Sequence, residues 1–183
     1  MPSFVLDKDT LSLNNGEFMR QVLAAFALIL ALVAQPAVAL DCPTPYLCFL
    51  NGNWAADGTS FGKPSRVTMR WEATLGGKFA RVDYRIETKG EGGQVFEGVG
   101  LYRPLKGGAY DGTWFDSQGA MHPLKATFTG ESLTTYWGVK GKTYGRTVYK
   151  LVRAYDQVEV VDAILDKKGV WREFSRNTLA KME

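Results

Sequence analysis

Residues 65–178 alternate apolar and polar side chains in short runs, and glycine-containing turns separate these runs. A period of two is typical of β-strands with one buried face, and no run in this region has the longer period of an amphipathic helix. The pattern therefore predicts an all-β fold, an antiparallel up-and-down sheet of roughly ten strands that closes into a barrel. The predicted strands cover residues 51–55, 65–74, 78–88, 94–103, 109–115, 121–128, 133–137, 143–152, 157–165 and 170–176.

The segment before the sheet has the pattern of a secretory signal. An uninterrupted apolar run at 22–34 follows Arg20 and leads to an Ala-x-Ala sequence at 37–39. The run is too short to span a bilayer as a helix, and a short apolar core of this kind is typical of a cleaved leader. We predict a Sec-type signal peptide, with a signal helix, at 1–39 and a bacterial protein that is periplasmic or secreted, with no membrane span after cleavage. A buried core helix is the alternative.

The start of the leader and the extent of the mature domain follow from the same region. Residues 1–18 are polar and acidic, unlike the basic start of a signal, whereas Met19 directly precedes an arginine. Met19 is therefore a possible true start. The predicted parts of the chain after the leader are a disulfide-bearing N-terminal segment at 40–50, one barrel domain at 51–178 and a C-terminal tail at 179–183.

Cys42 and Cys48 are the two cysteines of the chain, and both follow the leader. An exported chain with two closely spaced cysteines is expected to form one disulfide, whereas a thioredoxin-like redox pair has a tighter spacing. A zinc site would need more ligands than these two and His122, the single histidine, so we predict no metal. The net charge of +3 is spread along the chain, which indicates no nucleic-acid surface.

Aromatic side chains recur at alternating positions of the predicted strands, with glycines between some of them. Phe96 and Tyr102 flank Gly98 and Gly100 on one strand face. These glycines favour a sheet that bends to close a barrel over clearance for a ligand, yet rings alternating with glycines also leave volume. Rings alone would otherwise fill the core. The candidate interior residues are Trp71, Tyr84, Phe96, Tyr102, Tyr110, Trp114, Trp137 and Tyr149, with Arg81 and Arg85 to orient a polar end of the ligand.

The first strand carries a short motif with a structural meaning. Its sequence Gly-Asn-Trp at 52–54 resembles the Gly-x-Trp signature of the lipocalin and calycin superfamily. The resemblance implies that Trp54 closes one end of the barrel. It also implies that a cation from the last strand, Arg172 or Arg176, packs across the tryptophan ring.

Three further segments extend the resemblance. Leu-Gly-Gly-Lys-Phe at 75–79, Gly-Val-Gly-Leu-Tyr at 98–102 and the hairpin at 110–119 resemble, in order and spacing, a bacterial family of lipocalin-like domains of unknown function. This resemblance implies a calycin-like barrel and no particular ligand. The chain also resembles, more distantly, haem-binding barrels of the nitrobindin type. Because no histidine stands late in the chain to bind iron, we predict no cofactor.

Catalytic chemistry is only weakly indicated. His122 has no Gly-x-Ser-x-Gly motif to act with, and its position before Pro123 suggests an exposed or rim histidine. Carboxylates are plentiful, and most of these five alternate with apolar residues on faces expected to be solvated: Asp83, Glu97, Asp111, Asp116 and Asp162.

These observations predict an exported lipocalin-like protein that binds a small, largely hydrophobic molecule inside its barrel. One alternative is an isomerase or lyase on the calycin scaffold, with a tyrosine or aspartate as the acid, although an enzyme is the less favoured interpretation. The other alternative is an envelope-interaction protein whose barrel is packed solid. The sequence does not indicate an oligomeric state.

Overall fold

A computed structural model describes residue 42, residues 47–153 and residues 156–183 of the chain. In this part, ten antiparallel strands form a closed barrel in which sequence neighbours pair and the first strand pairs with the last. The predicted all-β, up-and-down barrel is therefore confirmed. The predicted leader at 1–39 lies outside the described residues. The strands are β1 (Gly52–Ser60), β2 (Lys63–Thr74), β3 (Phe79–Thr88), β4 (Val95–Pro104), β5 (Ala109–Asp116), β6 (Met121–Thr129), β7 (Ser132–Gly138), β8 (Tyr144–Arg153), β9 (Gln157–Leu165) and β10 (Trp171–Lys181).

Strict alternation of side chains creates the barrel core. In β3, for example, Val82 and Tyr84 are buried, whereas Arg81 and Asp83 lie on the outer face and pair with each other. Because the side-chain period of a strand is two, the same alternation on each strand sends one set of residues inward. Away from the register shifts in β8 and β10, alternation along each strand therefore determines which side chains face the interior.

The turns divide the barrel into two ends. The first end, here called the open end, carries the turns at 61–62, 89–94, 117–120, 139–143 and 166–170. The opposite end, here called the floor, carries the other turns and the single-turn 3-10 helix Cys48–Leu50. Neither this helix nor the one at Lys106–Gly108 is long or apolar enough to cross a membrane.

The chain ends differ from their predicted boundaries. Strand β10 continues to Lys181, so most of the predicted tail at 179–183 belongs to the barrel. A register shift between Glu173 and Ser175 places a bulge near the start of this strand. Cys42 and Cys48 form the predicted disulfide.

Candidate functional site: the barrel cavity and its buried carboxylate

The floor is packed with large side chains. Leu47, Leu50 and Trp54 are fully buried, and Phe49 contacts Phe128 with ring centroids 5.7 Å apart. The indole Nε1 of Trp54 donates a hydrogen bond of 2.6 Å to the carbonyl of Leu50. A buried indole with its N–H satisfied by the backbone is a stable plug, so this end of the barrel is closed.

The cation over Trp54 is Lys181, not Arg172 or Arg176. Its Nζ lies 5.5 Å from the centre of the Trp54 ring. The prediction was wrong because β10 runs further than its sequence pattern suggested, which brings Lys181 directly opposite Trp54 in the register. Arg172 lies near the open end and pairs with Asp166, and Arg176 is on the outer face, where it pairs with Glu159 and Glu173.

A cavity of about 520 Å³ occupies the barrel between its middle and the open end. This volume lies within the range of pockets that bind small molecules. Six of the eight predicted interior aromatics line it, whereas Trp71 and Tyr110 are buried outside its lining. The predicted aromatics that line it are Tyr84, Phe96, Tyr102, Trp114, Trp137 and Tyr149.

Two glycines allow two of these indoles to lie close against the sheet. A β-carbon at Gly98 would overlap the Trp114 ring, and one at Gly145 would overlap the Trp137 ring. The space above Gly98 was expected to remain as cavity volume, and that expectation was wrong because the indole of the next strand fills it. The glycines therefore let each ring lie close to the sheet while it lines the cavity.

Two carboxylates line the cavity. Asp116 is half-buried at the open end and accepts hydrogen bonds from the backbone N–H groups of Gln118 and Ala120.

Asp162 is only 5% exposed, although it was expected on a solvated face. Thr147 donates a hydrogen bond of 2.7 Å to its Oδ1, and the hydroxyl of Tyr84 donates one of 3.2 Å to its Oδ2. The Thr147 hydroxyl in turn accepts a 3.2 Å hydrogen bond from Nε1 of Trp137. A connected polar network therefore crosses the cavity from β7 to β3.

Burial sets the ionisation of this network. Removal from water raises the pKa of Asp162 to about 6, and the hydrogen bonds from Thr147, Tyr84 and Ser175 oppose that rise. Burial, with the nearby Asp162 charge, also raises the pKa of Tyr84 well above its usual value. The tyrosine hydroxyl therefore stays protonated and donates to the carboxylate.

Two more tyrosines, Tyr102 and Tyr149, form the inner part of the cavity wall. Tyr102 donates a 3.4 Å hydrogen bond to Thr135, and burial raises its pKa to about 12. Trp71 packs against Tyr102 and Tyr149, with ring centroids 5.1 and 5.4 Å apart. These rings separate the cavity from the packed floor.

The open end is rimmed by further rings. Phe61 and Phe174 stack with centroids 5.2 Å apart and planes 9° from parallel, and both line the cavity. His122 also lines the cavity, and its ring centroid is 5.7 Å from that of Trp137. The predicted rim position of this histidine agrees with its half-buried state.

Arg81 and Arg85 do not reach the cavity. Both lie on the outer face of β3, where Arg81 pairs with Asp83 and Arg85 pairs with Glu97. Their assignment as groups that orient a ligand was wrong, because the same alternation that turns Tyr84 inward turns its neighbours outward. The buried charged group that lines the cavity is Asp162 instead.

A second depression, of about 620 Å³, lies mainly along outward-facing residues of β1–β5. It is shallow and open, and its walls include charged residues that pair with one another, such as Arg85 with Glu97. The interior cavity is therefore the stronger candidate for a specific site.

Sequence reasoning missed Asp162, Phe61 and Phe174. For Asp162 the signal was present, because it continues the alternate positions of Val158 and Val160 in β9. For Phe174 there was none, because the bulge beside it breaks the period of two.

Neither a protein-family model nor a curated protein matches this sequence. Among the described residues, no three His, Cys, Asp or Glu side chains come together as a metal-binding group. The cavity and its polar network are therefore the observations on which a function has to be built.

Proposed function

We propose that this chain is an exported, lipocalin-like binding protein that holds a small, largely hydrophobic molecule in the cavity of its barrel. The carrying observation is the cavity itself, about 520 Å³ in volume, lined by aromatic side chains and bordered by a packed floor. Burying apolar ligand surface against such walls is favourable, and the few polar groups fix the orientation. A barrel packed solid, as an envelope-interaction protein would have, does not agree with this volume.

Export is proposed from two features. The leader pattern at 1–39 predicts secretion, and the disulfide of Cys42 and Cys48 is typical of oxidising compartments. The expected result of expression in a bacterium is a periplasmic protein that begins at Leu40 with the disulfide intact, as measured by mass spectrometry. A full-length product retained in the cytoplasm would contradict export and leave the binding proposal standing.

Binding is tested by blocking the open end. Ala120 lines the cavity beside the open end, whereas Met121, the next residue, is 68% exposed on the outside. We expect Ala120→Trp to weaken binding of the neutral dye N-phenylnaphthylamine by about tenfold or more. Met121→Trp is the matched control, because it adds the same ring outside the barrel, and its affinity should stay within about twofold of the unmodified protein.

The dye experiment has clear contrary outcomes. If the dye does not bind the unmodified protein, the binding proposal fails. If Ala120→Trp and Met121→Trp weaken binding equally, the dye lies on the outer surface and the interior is not the site.

An enzyme is the second candidate, and one observation favours it. Asp162 and Tyr84 are two titratable groups within hydrogen-bond reach inside the cavity, and the pKa of the aspartate is raised to about 6. A carboxyl group with a pKa near neutrality is suited to general acid and base catalysis, as an isomerase or lyase requires.

Binding and turnover are separated by stoichiometry. The protein is incubated with a small-molecule extract of bacterial cells and analysed by mass spectrometry. A compound retained at one per barrel supports binding. A compound that disappears in large excess over protein, with the unmodified chain but not with Asp162→Asn, supports catalysis.

A further inference from the structure

The carboxylate of Asp162 has no positive partner in the described part of the chain. Its hydrogen-bond donors are the hydroxyl groups of Thr147, Tyr84 and Ser175, and no described lysine, arginine or histidine forms an ion pair with it. Arg146, one residue before Thr147, does not supply the positive charge. Its guanidinium carbon lies 4.7 Å from the centre of the Trp171 ring. Hydroxyl donors lessen the cost of burying a carboxylate but do not neutralise its charge.

The cavity walls near this carboxylate are rich in aromatic rings. Trp114 and Trp137 lie close against glycines and both line the cavity. Tyr84, Tyr102 and Tyr149 add three rings closer to the barrel middle. Aromatic faces attract cations, tryptophan most strongly, and desolvation strengthens the attraction. Both the charge and the walls of the cavity therefore favour a positively charged group.

We propose that the ligand is a cationic amphiphile, an apolar molecule with one protonated amine, and that its ammonium group binds Asp162 while its apolar part lies along the indoles. This inference rests on the proposed binding function and specifies the chemistry of the ligand. The ammonium group supplies the counter-ion that the protein does not. An anionic amphiphile such as a fatty acid is disfavoured, because its carboxylate would lie beside a second buried carboxylate.

A series of ligands that differ in the headgroup tests this proposal. Decylamine, decanol and decanoate share a similar apolar chain and differ in charge. Each is titrated into the purified protein below its micelle concentration, with heat of binding and tryptophan fluorescence as the readouts. We expect decylamine to bind at least about tenfold more tightly than decanol, and decanoate to bind most weakly. Equal or tighter binding of decanoate would overturn the proposal.

Two variants test whether Asp162 causes the preference for the amine. Asp162→Asn keeps the size of the side chain and removes the charge, and it should lower decylamine affinity by about tenfold while decanol affinity changes less than about twofold. Asp83→Asn is the matched control, because this aspartate lies on the outer face, and it should change neither affinity. An amine preference that survives Asp162→Asn would place the cation elsewhere and overturn the assignment. If Asp162→Asn does not fold, the headgroup series on the unmodified protein still decides.

The two proposals fail in different ways. Suppose that N-phenylnaphthylamine binds and Ala120→Trp weakens its binding, but the headgroup series shows no preference for the amine. The binding function then stands and the proposal of a cationic ligand is wrong. If neither the dye nor any decyl compound binds, both proposals are wrong.

Discussion

The floor and the open end of the barrel are made by the same ten strands but are filled in opposite ways. At the floor, aliphatic residues and Trp54 are fully buried, and the indole N–H is satisfied by a backbone carbonyl. Toward the open end, half-buried rings surround a cavity, and the hydrogen bonds connect side chains to one another. Stability is therefore expected to be concentrated at the floor and specificity near the open end.

The N-terminal segment causes much of this difference. Leu47 and Leu50 enter the barrel core from outside the sheet and fill the floor, and Cys48 ties the segment to Cys42. Inward-facing strand residues alone leave space at the other end, where the 3-10 helix has no counterpart among the described residues. The strand meander is thus closed at the floor by the N-terminal segment that contains the 3-10 helix.

The largest expected effect is at the floor. Trp54→Ala should lower the free energy of unfolding by about 3–5 kcal/mol, because it removes a fully buried ring and leaves the Leu50 carbonyl without its donor. Trp114→Ala, which truncates a half-buried indole beside the cavity, should cost less than about half as much. Denaturant unfolding measures both. Equal losses would mean that the cavity wall is as tightly packed as the floor.

The buried carboxylate predicts a pH dependence that the floor does not share. Asp162 has a pKa of about 6 when folded and about 4 when unfolded, so between these values the folded chain holds a proton that the unfolded chain has released. The free energy of unfolding should therefore fall by about 2 kcal/mol as the pH rises from about 4 to about 6.5, and then stop falling. Denaturant unfolding at a series of pH values measures this, and Asp162→Asn should remove the slope.

Control variants distinguish the effect of Asp162 from that of other ionisable groups. His122 lines the same cavity, so His122→Gln is measured in parallel and should keep the slope. Tyr84 and Tyr149 stay neutral in this range because their pKa values are raised. The surface carboxyl of Asp111 has a lowered pKa owing to Arg103, so its contribution to stability is lost only at lower pH. A slope that persists in Asp162→Asn would contradict the assignment.

The disulfide should have a smaller effect, confined to the floor. Replacing Cys42 and Cys48 by serine is expected to lower the free energy of unfolding by roughly 2 kcal/mol, because the short loop gains freedom in the unfolded chain. Dye binding should be unchanged, since neither cysteine lines the cavity. A reductant added to the double variant is the control and should have no further effect. Loss of dye binding in this variant would show that the two ends are coupled.

The strand number and order were predictable because they depend on local signals. Period-two alternation marks each strand, glycine turns mark each reversal, and short connections leave antiparallel neighbours as the natural pairing. The Gly-x-Trp motif also indicated the floor residue Trp54. These features need no knowledge of distant contacts.

The cavity chemistry was not predictable to the same extent, because it depends on contacts between strands. Period two states which residues share a face, but it does not state that the indole of Trp114 lies over Gly98 on the neighbouring strand. Lys181 was missed because its contact with Trp54 needs the β1–β10 register. The alternation with Val158 and Val160 indicated an inward position for Asp162, but the hydrogen bonds that make its burial tolerable come from other strands, among them those of Thr147 and Tyr84.

The smallest expected effect concerns Phe61 at the open end and Leu75 at the floor. Both are exposed turn residues with left-handed backbones, φ +54° and +50°, a conformation that disfavours a large side chain. Replacing either by asparagine should relieve about 1 kcal/mol of strain. Only Phe61 has a described ring partner, Phe174, whose stacking contributes a similar amount, so Phe61→Asn should leave stability within about 1 kcal/mol.

Leu75→Asn is therefore the matched control for Phe61→Asn. It should stabilise the protein by about 1 kcal/mol and leave ligand exchange unchanged, because Leu75 lies at the opposite end from the cavity. Phe61→Asn should instead speed dye dissociation by about threefold or more, since one of the two stacked rings at the open end is lost. Stopped-flow dilution measures the dissociation rate. Equal rates for the two variants would show that the Phe61 and Phe174 pair does not restrict exit, and that the strained turn serves the fold alone.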